Sequence, residues 1–128
     1  MEDGLPRLGS SVGYLTKLAR FDLNVRGCSG FQDLDFHMFG KGLGSAHNLE
    51  EVNFFFRDTR LGDSGLQGLG EGVGRLRHLA RLKLDFSLCR AIGDRGVQAF
   101  SHGLGRLCRL TCLTLHFFGC SFGDEGLG

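Results

Sequence analysis

Five cysteines and five histidines are the side chains of this sequence best suited to chemistry. Cys108-x-x-x-Cys112 with His116 four residues on offers three soft or borderline ligands, and zinc needs three or four that converge. Cys112 and His116, however, lie at even spacing on an alternating apolar run. They face the same way and lie about 13 Å apart at ~3.3 Å per residue, too far to share one ion. Cys28, Cys89 and Cys120 complete an odd set. Together with an N-terminus, Met1-Glu2-Asp3-Gly4, that lacks the basic and apolar regions of a secretory leader, this argues against a disulfide framework.

Gly40-Lys41-Gly42-Leu43-Gly44-Ser45 and Gly68-Leu69-Gly70-Glu71-Gly72-Val73-Gly74 superficially suggest phosphate loops. A Walker-type loop needs Ser or Thr directly after Gly-Lys and another glycine five positions before the Gly-Lys glycine. Here Gly42 follows Lys41, and Asp35 stands where the first glycine belongs. A dinucleotide loop opens a helix, whereas these glycines lie late in a helical stripe. His37, His47, His78, His102 and His116 share no triad arrangement with a nucleophile elbow. Asp33/Asp35 and Asp124/Glu125 fall at helix starts rather than facing one another across a cleft. No catalytic residue, cofactor or metal is expected.

The elements that would position such residues emerge from composition and phase. Of 128 residues, 22 are glycine, more than twice the usual ~7%. A linker would not carry 41% hydrophobic residues, and a single proline excludes collagen. Fifteen basic residues against 14 acidic ones give a charge of +1, with no footprint for nucleic acid or an anionic membrane. Apolar stretches fall far short of a span of ~20 residues. The expectation is a single soluble, cytoplasmic domain over residues 1–128 with a protein partner, no nucleic acid and no membrane.

The chain repeats. Gly13, Gly44, Gly74 and Gly105 recur in steps of 31, 30 and 31 residues, as do Leu18, Leu49, Leu79 and Leu110. Phe21-x-Leu23-x-Val25, Val52-x-Phe54-x-Phe56, Leu82-x-Leu84-x-Phe86 and Leu113-x-Leu115-x-Phe117 alternate as short strands do. Cys28, Thr59, Cys89 and Cys120 follow them in phase. Leu61-Gly62-Asp63-Ser64-Gly65, Ile92-Gly93-Asp94-Arg95-Gly96 and Phe122-Gly123-Asp124-Glu125-Gly126 then open helices, with the aspartate as expected N-cap. In the first copy Gln32 and Asp35 replace the glycines. Leu66, Leu69, Val73 and Leu76 form a buried helical stripe. Each unit is thus strand, turn, helix and return, and the strands must be parallel. The units run 14–44, 45–74 and 75–105, between a partial copy at 1–13 and a truncated one at 106–128.

The pattern Leu79-x-x-Leu82-x-Leu84-x-Phe86-x-x-Cys89-x-x-Ile92-Gly93-Asp94 resembles the leucine-rich repeat family. Its period and helical second half are similar to the ribonuclease-inhibitor-like class, with a strand segment two residues longer than usual. The resemblance implies an α/β solenoid, curved, with a parallel sheet on the concave side and helices on the convex side. It also implies that Cys28, Cys89 and Cys120 are buried in a hydrogen-bonding ladder. Its functional implication is a non-catalytic protein-interaction scaffold. Two alternatives follow from similar repeats: the substrate-recognition part of a ubiquitin-ligase adaptor, and a GTPase activator of the Ran-activating type, for which Arg57 or Arg26 would be the concave-face candidates. Neither end shows a polar cap, so a segment of a longer array is expected.

Alternation places four columns on the concave face. The first two are Arg20, Glu51, Arg81, Cys112 and Asp22, Asn53, Lys83, Thr114. The third is Asn24, Phe55, Asp85, His116, and the fourth is Arg26, Arg57, Ser87, Phe118. Column one alternates in sign and reads as cross-strand pairing. The expected partner-binding residues are Asn24, Arg26, Phe55, Arg57, Lys83, Asp85, His116 and Phe118, because two exposed aromatics and an Arg–Arg neighbour pair have no structural purpose of their own. Finally, Gly65, Gly68, Gly70 and Gly72 share one helix at ~1 kcal/mol each, which predicts a short or frayed element there.

Overall fold

A computed structural model describes residues 4–121. Helix α1 (Gly4–Gly13) is followed by β1 (Arg20–Asn24), α2 (Asp33–Leu43), β2 (Glu51–Phe55), α3 (Asp63–Val73), β3 (Arg81–Asp85), α4 (Asp94–Leu104) and β4 (Cys112–His116). The strands form one parallel sheet in chain order. Each helix returns the chain to the same end of the sheet, which is what a parallel neighbour requires. Helices and sheet form the two layers of an α/β leucine-rich-repeat solenoid, the sheet lining the concave side. The expected helix start at Phe122–Leu127 lies outside the described residues.

The alternating apolar residues point into the gap between the layers. Val52, Phe54, Phe56, Leu82, Leu84 and Phe86 are buried there with Phe36, Phe39 and Phe100 from the helices. Phe54 and Phe56 stack at 5.0 Å between ring centroids, and Phe36 and Phe39 abut Phe56 and Phe54. At the last strand Leu113 is 46% exposed, with no further described strand beside it.

The aspartates do not cap the helices they open. The carboxylate oxygen Oδ1 of Asp33 accepts from the amides of Gly62 and Gly65, both at 2.7 Å, in the following unit. Asp63 repeats this with Gly93 at 2.7 Å and Gly96 at 3.1 Å. The N-caps of α3 and α4 are the glycines Gly62 and Gly93, so each aspartate satisfies first-turn amides one unit ahead of its own. This accounts for the second glycine of each motif. A Cβ at Gly96 would stand 2.5 Å from Asp63 Oδ1, and one at Gly65 would collide with Asp33. Where the motif lapses, α2 caps itself: Asp35 Oδ2 accepts from the Gln32 amide at 2.7 Å.

Helix α3 is not short. At 11 residues it matches α2 and α4, which corrects the expectation of a short element. Its glycines are the surfaces on which neighbouring helix backbones rest. A Cβ at Gly68 would lie 2.5 Å from the His37 carbonyl oxygen, and one at Gly70 would lie 2.9 Å from Phe100 Cα. Gly72 faces the Gly40 carbonyl so closely that any Cβ would clash. Contact with the flanking helices replaces what the glycines cost in isolation.

The turn after each strand passes through the left-handed region, at Gly27 (φ 72°), Asp58 (56°), Leu88 (60°) and Gly119 (76°). Just beyond it runs the ladder. Thr59 Oγ1 donates to Phe56 O at 2.9 Å, Cys89 Sγ to the same oxygen at 3.1 Å and Cys120 Sγ to Phe86 O at 3.1 Å. Cys28 is exposed, contrary to the family-implied expectation: from Cys89 onward the thiol reaches back to the preceding strand's turn, and no described strand precedes β1.

Candidate functional site

The sheet's outer face is the candidate site, and its columns have the register the repeat phase requires. Arg20, Glu51, Arg81 and Cys112 are successive partners, as are Asp22, Asn53, Lys83 and Thr114, and Asn24, Phe55, Asp85 and His116. The register continues past the strands, since the Gly27 amide donates to Arg57 O at 2.9 Å and the Leu88 amide to Phe118 O at 2.6 Å.

One end of the face is closed on itself. Glu51 bridges Arg20 at 3.7 Å and Arg81 at 3.1 Å, and Arg20 also pairs with Asp22 at 3.1 Å. Asn53 Nδ2 donates to Asp22 at 2.7 Å and to Glu51 at 3.0 Å. The Asn53 hydrogen bond, followed by the Arg20 hydrogen bond, holds the Asp22 carboxyl below its usual range. Glu51 is lowered by the same amide together with Arg81 and Arg20. These charges satisfy one another.

The other end is open. Phe118 is 74% exposed. Phe55 is half-buried rather than free, because Lys83 Nζ lies 5.7 Å from its ring centroid, within cation–π range. Asp85 Oδ1 accepts from the Ser87 amide at 2.9 Å. Burial pushes the Asp85 carboxyl upward, but the Ser87 hydrogen bonds and the electrostatic influence of the nearby His116 and Arg57 leave it below normal. Asn24 Oδ1 likewise accepts from the Arg26 amide at 3.0 Å, which fixes the start of that turn. Ser87 is 2% exposed and its hydroxyl accepts from the Phe118 amide at 3.2 Å, so it stitches strand ends together instead of facing a partner. His116 and Arg26 are exposed, and Arg57 is half-buried.

Among the described residues no three His, Cys, Asp or Glu side chains come together as metal ligands. No described helix is long and apolar enough to cross a membrane.

Two segments, residues 82–101 and 109–128, match the family model described as "Leucine Rich repeat". No curated protein matches the chain. Among solved structures, leiomodin-1 actin-binding site 2 superposes with a TM-score of 0.66 at 18% sequence identity, covering 97% of this chain and 66% of that one. At that identity the likeness concerns the fold.

Proposed function

We propose that this leucine-rich-repeat solenoid is a non-catalytic protein-interaction scaffold that takes its partner on the open half of the concave face. The observation that carries the reading is the contrast within one sheet. Arg20, Asp22, Glu51 and Arg81 are neutralised by their own ion pairs and the Asn53 amide, while Phe118 stands exposed beside Ser87, with Arg57 and His116 near Asp85. An aromatic and an arginine with little internal use are the groups that most often anchor a protein interface. Phe55 roofed by Lys83 supplies a flat, partly desolvated floor next to them.

The leiomodin-1 neighbour is an actin-binding site on the same kind of scaffold, which makes actin a first candidate partner. Affinity capture on the immobilised chain, with actin and a panel of small GTPases as defined ligands, tests the reading. Saturable binding of a protein without acceleration of GTP hydrolysis supports a scaffold. Accelerated hydrolysis would replace it with the GTPase-activator alternative.

A further inference from the structure

A second surface lies where the helices end and the strands begin. Lys17, Asn48, His78 and Arg109 occupy the same phase of the four turns entering β1 to β4, and Arg77 precedes His78. Arg75 and Arg106 follow the C-caps Gly74 and Gly105 of α3 and α4. All of these side chains are exposed. Arg20 and Arg81 on the sheet are ion-paired, but among the described residues Lys17, Arg75, Arg77, Arg106 and Arg109 have no carboxylate partner within 4.0 Å. Of the two acids on this rim, Glu71 is engaged by Lys41 at 3.9 Å, and only Glu50 is left.

Cations beyond helix C-termini relieve the helix dipole, which gives Arg75 and Arg106 a structural use. It does not extend to Lys17, Arg77 and Arg109, which lie in the turns into the strands. Arg109 is also held in place, its Nη1 3.1 Å from His78 Nδ1. An imidazole brings no negative charge to that contact, so the guanidinium charge is left unbalanced. A groove of about 400 Å³ runs between Lys17, Asn48, Glu50, His78 and Arg109. A second, of about 330 Å³, is bounded by Lys41, Glu71, Arg75 and Arg106.

We propose that this basic rim binds an acidic, extended segment of a protein partner, laid across the turns at right angles to the strands. Strands ~4.8 Å apart set neighbouring turns and an extended peptide rises ~3.3 Å per residue, so carboxylates a few residues apart can meet Arg77 and Arg109 on the adjacent turns into β3 and β4, and Lys17 two turns before Arg77. A single-stranded nucleic acid offers similar charge but calls for stacking rings, and among the described residues Tyr14 is the one exposed Phe or Tyr near this rim. The surface is separate from the concave face, so either assignment can fail without the other.

The test uses the full chain and a fluorescent Asp/Glu-rich peptide of about twelve residues, followed by anisotropy. Binding should weaken with added salt and fall at least about tenfold in Arg77→Glu/Arg109→Glu. Arg95→Ala, at the N-terminal end of α4 and away from the rim, should leave it unchanged, and a thermal melt confirms that each variant folds. Arg75→Glu/Arg106→Glu, on the second groove, should also reduce affinity and decides the matter if the first pair perturbs the fold. Equal affinity of wild type and rim variants overturns the proposal, as does tighter binding of a poly-uridine oligonucleotide than of the peptide.

Discussion

Asp63 and Gly93 belong to consecutive units, and the carboxylate of the first accepts the amide of the second at 2.7 Å. The same oxygen also takes the Gly96 amide, so one side chain closes the helix start of its neighbour and couples adjacent units. Asp63→Ala should therefore destabilise by about 1 to 2 kcal/mol, the scale of a lost helix cap, even though its own helix loses no cap. Chemical denaturation measures this. A change under a few tenths would mean the contact is incidental.

Glycine substitutions should split by location. Gly72→Ala improves intrinsic helix propensity by ~1 kcal/mol, yet its Cβ would clash with the Gly40 carbonyl, so the net effect should be destabilising by about 1 to 3 kcal/mol. Gly30 has open space around it, and Gly30→Ala should lie within ~0.5 kcal/mol of wild type. Paired thermal melts distinguish the two. Equal effects would show that helix packing does not set the glycine requirement.

These two cases mark what the sequence could and could not disclose. The sheet register, the four columns and the buried faces of Leu82, Leu84 and Phe86 were legible because a fixed period brings equivalent residues together. The direction of the Asp63 cap was not, since a local reading assigns a cap to the helix that follows it in sequence. The full length of α3 was missed for a related reason: propensity is a property of one helix, whereas Gly68, Gly70 and Gly72 act between helices. Within the site, the exposure of Phe118 was legible. The Lys83 roof over Phe55 and the inward turn of Ser87 depend on side-chain conformations that phase alone does not specify.

Core truncation should be costly. Leu84 is 1% exposed, so Leu84→Ala should lose about 2 to 5 kcal/mol, read from a denaturation curve. A loss below about 1 kcal/mol would contradict the packing described.

The thiols should separate by environment. Burial pushes the Cys120 thiol up to about 11 and raises that of Cys89 as well, so little nucleophilic thiolate is present on either near neutral pH. Cys28, Cys108 and Cys112 are exposed. Iodoacetamide at mildly alkaline pH followed by peptide mass mapping should label these three in the native chain, and Cys89 and Cys120 only after denaturation. Prompt native labelling of Cys89 would refute the ladder.

Acidification should loosen the sheet's closed half. Asp22 and Glu51 are held below their usual range, first by Asn53 and then by arginines. A depressed carboxyl contributes stability above its unfolded value and loses it as pH falls through the lower folded value. The melting temperature should thus decline below about pH 4, and less steeply in Asn53→Ala, which removes the first cause. Identical pH profiles would exclude the Asn53 linkage.

The central claim is that the open half of the concave face carries partner binding. Titration of the captured partner against wild type and Phe55→Ala/Arg57→Ala, with a melt of each, tests it most directly. The account predicts affinity reduced at least about tenfold, the scale of an interface hot spot, in a chain that still unfolds cooperatively. Unchanged affinity in a folded double variant would contradict it.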